Sequence, residues 1–218
     1  MNQNEFLDEQ IIDMLNQVEE QKNISNAGKD EIVEKVEIEI VEDNLNILET
    51  GIKVQGKRIN FARRLLAKET ITMMVPTNFS DMSPEMAKMK YPSEHRPETI
   101  LTDELGVTNL MFQYMDENVS NDTIEVFRNQ VFGMMKRVNP GLKEREIGAL
   151  DVKETKIAYV EFSNNTMDGK LYNLMFYLPV DGKPLMGSFN CQTKEMKYWR
   201  EPVFEMLRSV EIMNEQIG

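Results

Sequence analysis

One imidazole and one thiol bound the chemistry this chain can do. His95 is the only histidine in 218 residues and Cys191 the only cysteine. A single imidazole excludes a multi-histidine metal site within one chain. His95 lies in SEHRP, where charged neighbours could tune it as a lone general base; the alternative is a solvent-facing or loop-packing side chain. Cys191 lies in SFNCQTKE, with Lys194 the nearest basic residue in sequence. A reactive thiolate needs cationic or helix-N-terminal surroundings, and without them a strand cysteine is a small buried hydrophobe. A lone thiol forms no internal disulfide and fits a reducing compartment.

The stretch around His95 is the second candidate. PTNFSDMSPEMAKMKYPSEHRPETI, 76–100, holds four of the eight prolines. A residue that precedes proline avoids the helical region, so Tyr91 before Pro92 and Arg96 before Pro97 are expected to be extended and the loop stiff. Stiff loops carrying Tyr91, His95 and Arg96 suit recognition, because binding costs them little entropy. The same stiffness would serve to close the end of a sheet. Trp199, the sole tryptophan, is read as preceding the last helix. There it either seals the core edge or, if exposed, anchors a protein contact. The carboxylate pairs Asp103-Glu104 and Asp116-Glu117 read as turn formers. Neither a D-x-D-x-D-G loop nor an H-E-x-x-H helix is present, so no metal site and no cofactor is expected.

The elements that must position these residues follow from periodicity. Leu7, Ile11, Met14 and Val18 fall on one stripe of a helix over 5–22, and NISNAGKD (23–30) reads as a linker. Val36, Ile38 and Ile40 alternate with glutamates as in a half-buried strand. A hairpin is expected around Gln55-Gly56-Lys57, a strand over 70–76 stopped by Pro76, and a short helix over 83–89 capped by Ser83 with Pro84 at its first position. An extended piece near 98–102 and a strand over 107–114 lead to a helix over 121–138, ended by Asn139-Pro140-Gly141. Four strands follow, at 143–151, 154–163, 171–178 and 184–192, and a helix over 200–213 closes the chain. Consecutive strands on short turns, covered by two longer helices, define an α+β class with an antiparallel sheet. No glycine-rich dinucleotide or phosphate loop occurs.

Charge divides the chain unevenly. Residues 1–50 carry 14 Asp and Glu against 3 Lys and Arg, whereas residues 51–218 carry 23 against 22. An acidic N-terminal segment therefore precedes an almost neutral body over 51–218, and the chain divides into an arm and linker over 1–30 and a domain over 31–218. Such an arm is a poor partner for nucleic acid, since phosphate contacts need clustered cations. It is either a solvated extension or a docking arm for a basic surface, of which Lys53, Lys57, Arg58, Arg63, Arg64 and Lys68 are a candidate. No apolar run is long enough for membrane insertion, and MNQNEFLDEQ is not expected to act as a secretory leader. The 17 methionines read as core filler or as an adaptable binding surface.

The order of elements around "MMVPTNF", the proline-bearing excursion, "TNLMF", one long helix, a strand meander and a helix after "YWREP" resembles the PsbP-like fold. That fold is shared by photosystem II extrinsic subunits, Mog-type and bacterial DcrB-like proteins. The resemblance covers about 69–213 and implies an antiparallel sheet flanked by two helices. The members mostly bind other proteins, and one bacterial branch shields apolar helices of secreted effectors. It implies no catalytic residues.

The expectation is thus a non-enzymatic cytoplasmic domain that binds another protein, or a second copy through 5–22, as an adaptor or chaperone. Recognition would use an apolar sheet face and the acidic arm, with Tyr91, His95, Arg96, Trp199, Leu7, Ile11, Met14 and Val18 as contact residues. The alternatives are a small-molecule or catalytic pocket under the 82–98 loop, or a structural subunit of a larger assembly.

Overall fold

The computed structural model describes residues 47–91, 93, 96–166 and 169–213. The helix expected over 5–22 with Leu7, Ile11, Met14 and Val18, the strand near 36–40 and His95 lie outside the described residues.

The meander is built from local chemistry. Strands β8 (Lys143–Val152), β9 (Thr155–Thr166), β10 (Gly169–Val180) and β11 (Lys183–Gln192) pair in succession, all antiparallel. The β10–β11 turn is Asp181-Gly182, both at positive φ (51° and 76°). A two-residue hairpin turn needs that conformation to match the strand twist, and Asp-Gly adopts it at little cost. The same device, Gln55-Gly56, joins β1 (Ile52–Val54) to β2 (Lys57–Ile59). Strand β7 (Asn109–Tyr114) adds to the other edge of β11, followed by β6 (Thr99–Thr102) and the two-residue β5 (Ser80–Asp81). The result is a seven-stranded sheet of order β5-β6-β7-β11-β10-β9-β8. A second sheet, β12-β4-β3, joins β3 (Phe61–Leu66) and β4 (Ile71–Pro76) to the chain's last described strand, β12 (Glu211–Ile212).

Alternation sends each strand's residues to two faces. On one face Ile157, Tyr159, Tyr172, Leu174, Phe176, Phe189 and Cys191 share a core with helix α4 (Met196–Arg208), the β3–β4 pair and α1 (Ile47–Thr50). On the other, Ala158, Val160, Phe162, Met175 and Tyr177 bury Ile124, Phe127, Val131, Phe132 and Met135 of helix α3 (Ile124–Val138). A third cluster sets Met82, Ala87 and Tyr91, around helix α2 (Pro84–Lys90), against Ile100 and Met111. Ser83 caps α2 as expected, its Oγ accepting from Met86 N at 3.2 Å. Gly187 is required by a close approach: a Cβ there would lie 2.0 Å from Cζ of Phe176, whose ring packs edge-on to Phe112 at 6.0 Å.

Two sequence expectations need correction at the C-terminus. The last helix begins at Met196, after a 3₁₀ turn at Thr193–Glu195, so Trp199 lies inside it and Pro202 within its interior. The helix also stops at Arg208 instead of reaching Met213. Ser209 Oγ donates to Met206 O at 2.6 Å and accepts from Met74 N at 2.9 Å, and Glu211 then pairs with Thr72 on β4. The open edge of β4 supplies ladder hydrogen bonds that a continued helix would forgo. The β3–β4 turn was not anticipated either: Ala67, Lys68 and Glu69 run consecutively at φ 51°, 59° and 68°, a region costly for side chains with a Cβ.

Candidate functional site

The structure scatters the residues that sequence reasoning singled out. Tyr91 is 3% exposed and belongs to the cluster under α2, so it is a core residue and not a contact residue. Arg96 Nη1 donates to Tyr91 O at 3.4 Å, which fixes the loop's return. Arg96 also lines a small depression of about 210 Å³ beside Lys88, Pro97 and Glu98. Trp199 is 2% exposed on the opposite face of the sheet, between Phe79 (5.8 Å) and Phe189 (5.5 Å). It seals the core and is not an exposed anchor. Cys191 is fully buried, and burial pushes its thiol well above the ordinary range, which leaves it un-ionised and inert.

Three of the six basic residues proposed as a docking surface are neutralised inside the body. Arg63 pairs with Glu211 at 3.6 Å, Arg64 with Asp81 at 3.3 Å and Lys68 with Glu98 at 2.8 Å. Nor do the described strands present an apolar face: their only exposed large apolar side chains are Leu65 and Ile147. Asp116 is spent on Lys183 at 2.8 Å.

What sequence reasoning missed is a buried ionic network and a cleft. Glu161, fully buried, accepts from Arg200 Nε (2.9 Å), Arg200 Nη2 (2.6 Å) and Tyr172 OH (2.9 Å). Arg200 Nη2 also reaches Glu146 at 2.7 Å, and Glu146 accepts from Tyr159 OH at 2.7 Å. The hydrogen bond to Glu161 holds the guanidinium firmly protonated, and burial pushes the Tyr159 phenol up to about 12. Each of the four carboxylate oxygens accepts at least one hydrogen bond, so the network fixes α4 on the sheet. It could have been suspected from sequence, since Glu161 shares strand parity with Ile157 and Tyr159 on a buried face.

The cleft lies at the end of the sheet where β7 begins. The β1–β2 hairpin, the turn 103–108 and the start of α4 enclose about 310 Å³, lined by Gln55, Asp103, Leu105, Glu195 and Trp199 among others. Gln55 Nε2 donates to Glu195 Oε1 at 2.6 Å. Burial raises the Glu195 carboxyl above its ordinary range, against Lys194 and with the help of Asp103. Asp103 Oδ1 accepts from Val107 N at 2.8 Å and Gly106 N donates to Asp103 O at 3.0 Å, so the turn is held from within. Lys90 Nζ fastens it from outside by donating to Gly106 O. The fixed turn carries Leu105 at 80% exposure, the most exposed of the described large apolar side chains. The indole Nε1 of Trp199 is buried and makes no hydrogen bond within the protein. Among the described residues no group of three or more His, Cys, Asp or Glu could hold a metal ion, and no helix is long and apolar enough to cross a membrane.

The fold has counterparts among solved structures. The solution structure of cyanobacterial PsbP (CyanoP) from Synechocystis sp. PCC 6803 superposes with a TM-score of 0.52 at 13% identity, over 75% of this chain and 98% of that one. LpqN, described as involved in cell envelope biogenesis of Mycobacterium tuberculosis, matches with a TM-score of 0.47 at 9% identity, over 72% and 93%. The fold is therefore PsbP-like. In sequence, no known family profile and no curated protein matches the chain.

Proposed function

We propose that this chain is a non-enzymatic protein-binding domain, an adaptor or chaperone acting in the cytoplasm, and that it recognises its partner at the Trp199 cleft. The observation that carries this reading is Leu105. A large aliphatic side chain held at 80% exposure by a turn with its own internal hydrogen bonds has no task within the fold. Exposed apolar groups beside a polar rim are what a protein contact uses. Gln55, Glu195 and Asp103 supply that rim. The acidic segment 1–30 acts as a second element that docks on the partner or on another copy. An apolar sheet face is not used, because the strands' apolar residues already serve the core.

The test is affinity capture from the native cell with the full chain, wild type and Leu105→Asp. The substitution sits in solvent and should leave the circular dichroism spectrum unchanged. A stoichiometric partner captured by wild type and lost with L105D supports the cleft. Equal capture by both would remove recognition from it, and turnover of a small metabolite by the purified chain would displace the whole reading.

A further inference from the structure

We infer that the open edge of the small sheet is a docking site for the chain's own segment 36–40, which adds to β3 as a fourth strand. The assignment is independent of recognition at the turn 103–108. In the sheet β12-β4-β3 both sides of β4 are paired, whereas β3 has one unpaired side among the described residues. Two hydrogen bonds fix which groups face that side. Thr77 N donates to Asn60 O at 2.8 Å, one step beyond the Phe61–Pro76 pair, and Met74 N turns away from β3 to Ser209 Oγ at 2.9 Å. Residues of an antiparallel pair alternate between bonding each other and pointing away. Ala62, Arg64 and Leu66 therefore bond to β4, and the N–H and C=O groups of Phe61, Arg63 and Leu65 point to the open side. Such a row is a template for another strand.

Side chains, charge and reach select the occupant. Leu65 is 47% exposed, and Ala62 and Arg63 beside it are exposed as well. Val36, Ile38 and Ile40 alternate with Glu37 and Glu39, so a strand over 36–40 carries one apolar row and one acidic row. Strand β3 reads FARRLL, with two cations and no acid, whereas EKVEIEIVED (34–43) holds five acids and one lysine. In the antiparallel register that sets Val36 against Leu65, Ile38 against Arg63 and Ile40 against Phe61, Glu37 falls opposite Arg64. Apolar and opposite-charge pairs across strands both favour that arrangement. Arg64 is only loosely engaged, by Asp81 at 3.3 Å, whose side chain is 75% exposed. Reach sets the direction. Gly51, next after α1, lies against Ile59 O and Asn60 at the start of β3, so the chain arrives at that end. An antiparallel strand ends there too, at Ile40 beside Phe61, and residues 41–46, which extend to about 20 Å, complete the connection. A parallel strand would end beside Leu66 and have to recross the length of β3.

The test is amide hydrogen exchange of the full chain, followed by NMR in wild type and Ile38→Pro. The amides of Arg63 and Leu65 should be protected in wild type, to the same degree at every protein concentration. Proline removes the N–H that bonds Arg63 O, so I38P should speed exchange at Arg63 and Leu65 about tenfold. The Met73 amide, which bonds to Arg64 on the other side of β3, should be unchanged and reports that the body stays folded. The triple variant Val36→Ser, Ile38→Ser, Ile40→Ser keeps every N–H and removes the apolar row, and should speed the same two amides. The inference is overturned if Arg63 and Leu65 exchange in wild type as unstructured amides do, or if both variants leave their protection intact. It is equally overturned if protection is lost on dilution, which would give the edge to a second copy.

Discussion

Replacing Arg200 by methionine tests whether the buried network holds the fold together. Methionine keeps the aliphatic stem over Phe204, whose ring lies 5.1 Å from the guanidinium. It removes both bonds to Glu161, at 2.9 and 2.6 Å, and leaves Tyr172 as the donor at 2.9 Å. Hydrogen bonds to charged groups contribute about 1.5–3 kcal/mol each, and breaking a buried ion pair from one side costs roughly 3–5 kcal/mol. The Arg200 side chain is 37% exposed, so water can reach the vacated position, and the lower end, about 3 kcal/mol, is the expected loss. At a urea dependence of ~2 kcal/mol per M, the unfolding midpoint of R200M should fall by about 1.5 M. Adding Glu161→Gln removes the stranded charge, so the double variant should regain about 2 kcal/mol over R200M alone. Urea denaturation at pH 7 followed by circular dichroism measures both. A loss below ~1 kcal/mol in R200M, or a double variant no better than the single, would show that Glu161 and Arg200 behave as an ordinary surface pair.

Two further outcomes follow from backbone strain and from burial. Glu69 is exposed and sits at φ 68°, third in a run of left-handed residues, so Glu69→Gly should stabilise the chain by about 1 kcal/mol and raise Tm by roughly 2–4 °C in a thermal melt; a lower Tm would mean that the run is not strained. Burial raises the phenols of Tyr172, Tyr177 and Tyr159, the last to about 12. An acid whose folded pKa is raised contributes stability that is complete below its unfolded pKa, ~10, and is lost as pH climbs toward the folded value. Absorbance at 295 nm should therefore show these three of the six tyrosines un-ionised at pH 10–11 until far-UV circular dichroism reports unfolding; full ionisation of a still-folded chain would refute their burial.

The sequence disclosed what neighbouring residues decide. Gln55-Gly56 and Asp181-Gly182 marked their hairpins, Ser83 and Pro84 marked the start of α2, and the spacing from Ile124 to Val138 marked α3, because turn geometry, capping and periodicity are local. It misplaced what distant partners decide. The last helix was expected from Arg200, yet the preceding turn is recruited, with Trp199 packed between Phe79 and Phe189. Glu211 and Ile212 became a strand only because β4 offered an edge. Tyr91 leaves the helical region before Pro92 without becoming fully extended (φ −131°, ψ 74°), and its burial depends on Met82, Ile100 and Met111. The cleft was invisible for the same reason: Gln55 and Glu195 meet across 140 positions of sequence.

The distribution of burial also indicates how a PsbP-like body of this composition can bind anything. To expose one sheet face, α4 would have to leave, uncovering Trp199, Val203, Phe204, Met206 and Leu207, all buried. At about 1.5–3 kcal/mol per side chain the loss is on the order of 10 kcal/mol, comparable with the ~5–15 kcal/mol that holds an ordinary domain folded. A partner would have to supply that energy before gaining any contact of its own. The turn 103–108 at one end of the sheet carries no such penalty, since Leu105 is already in solvent. In this chain the strands and helices consume the apolar faces, so a partner that binds without displacing a helix would meet the loops that the sheet holds in place.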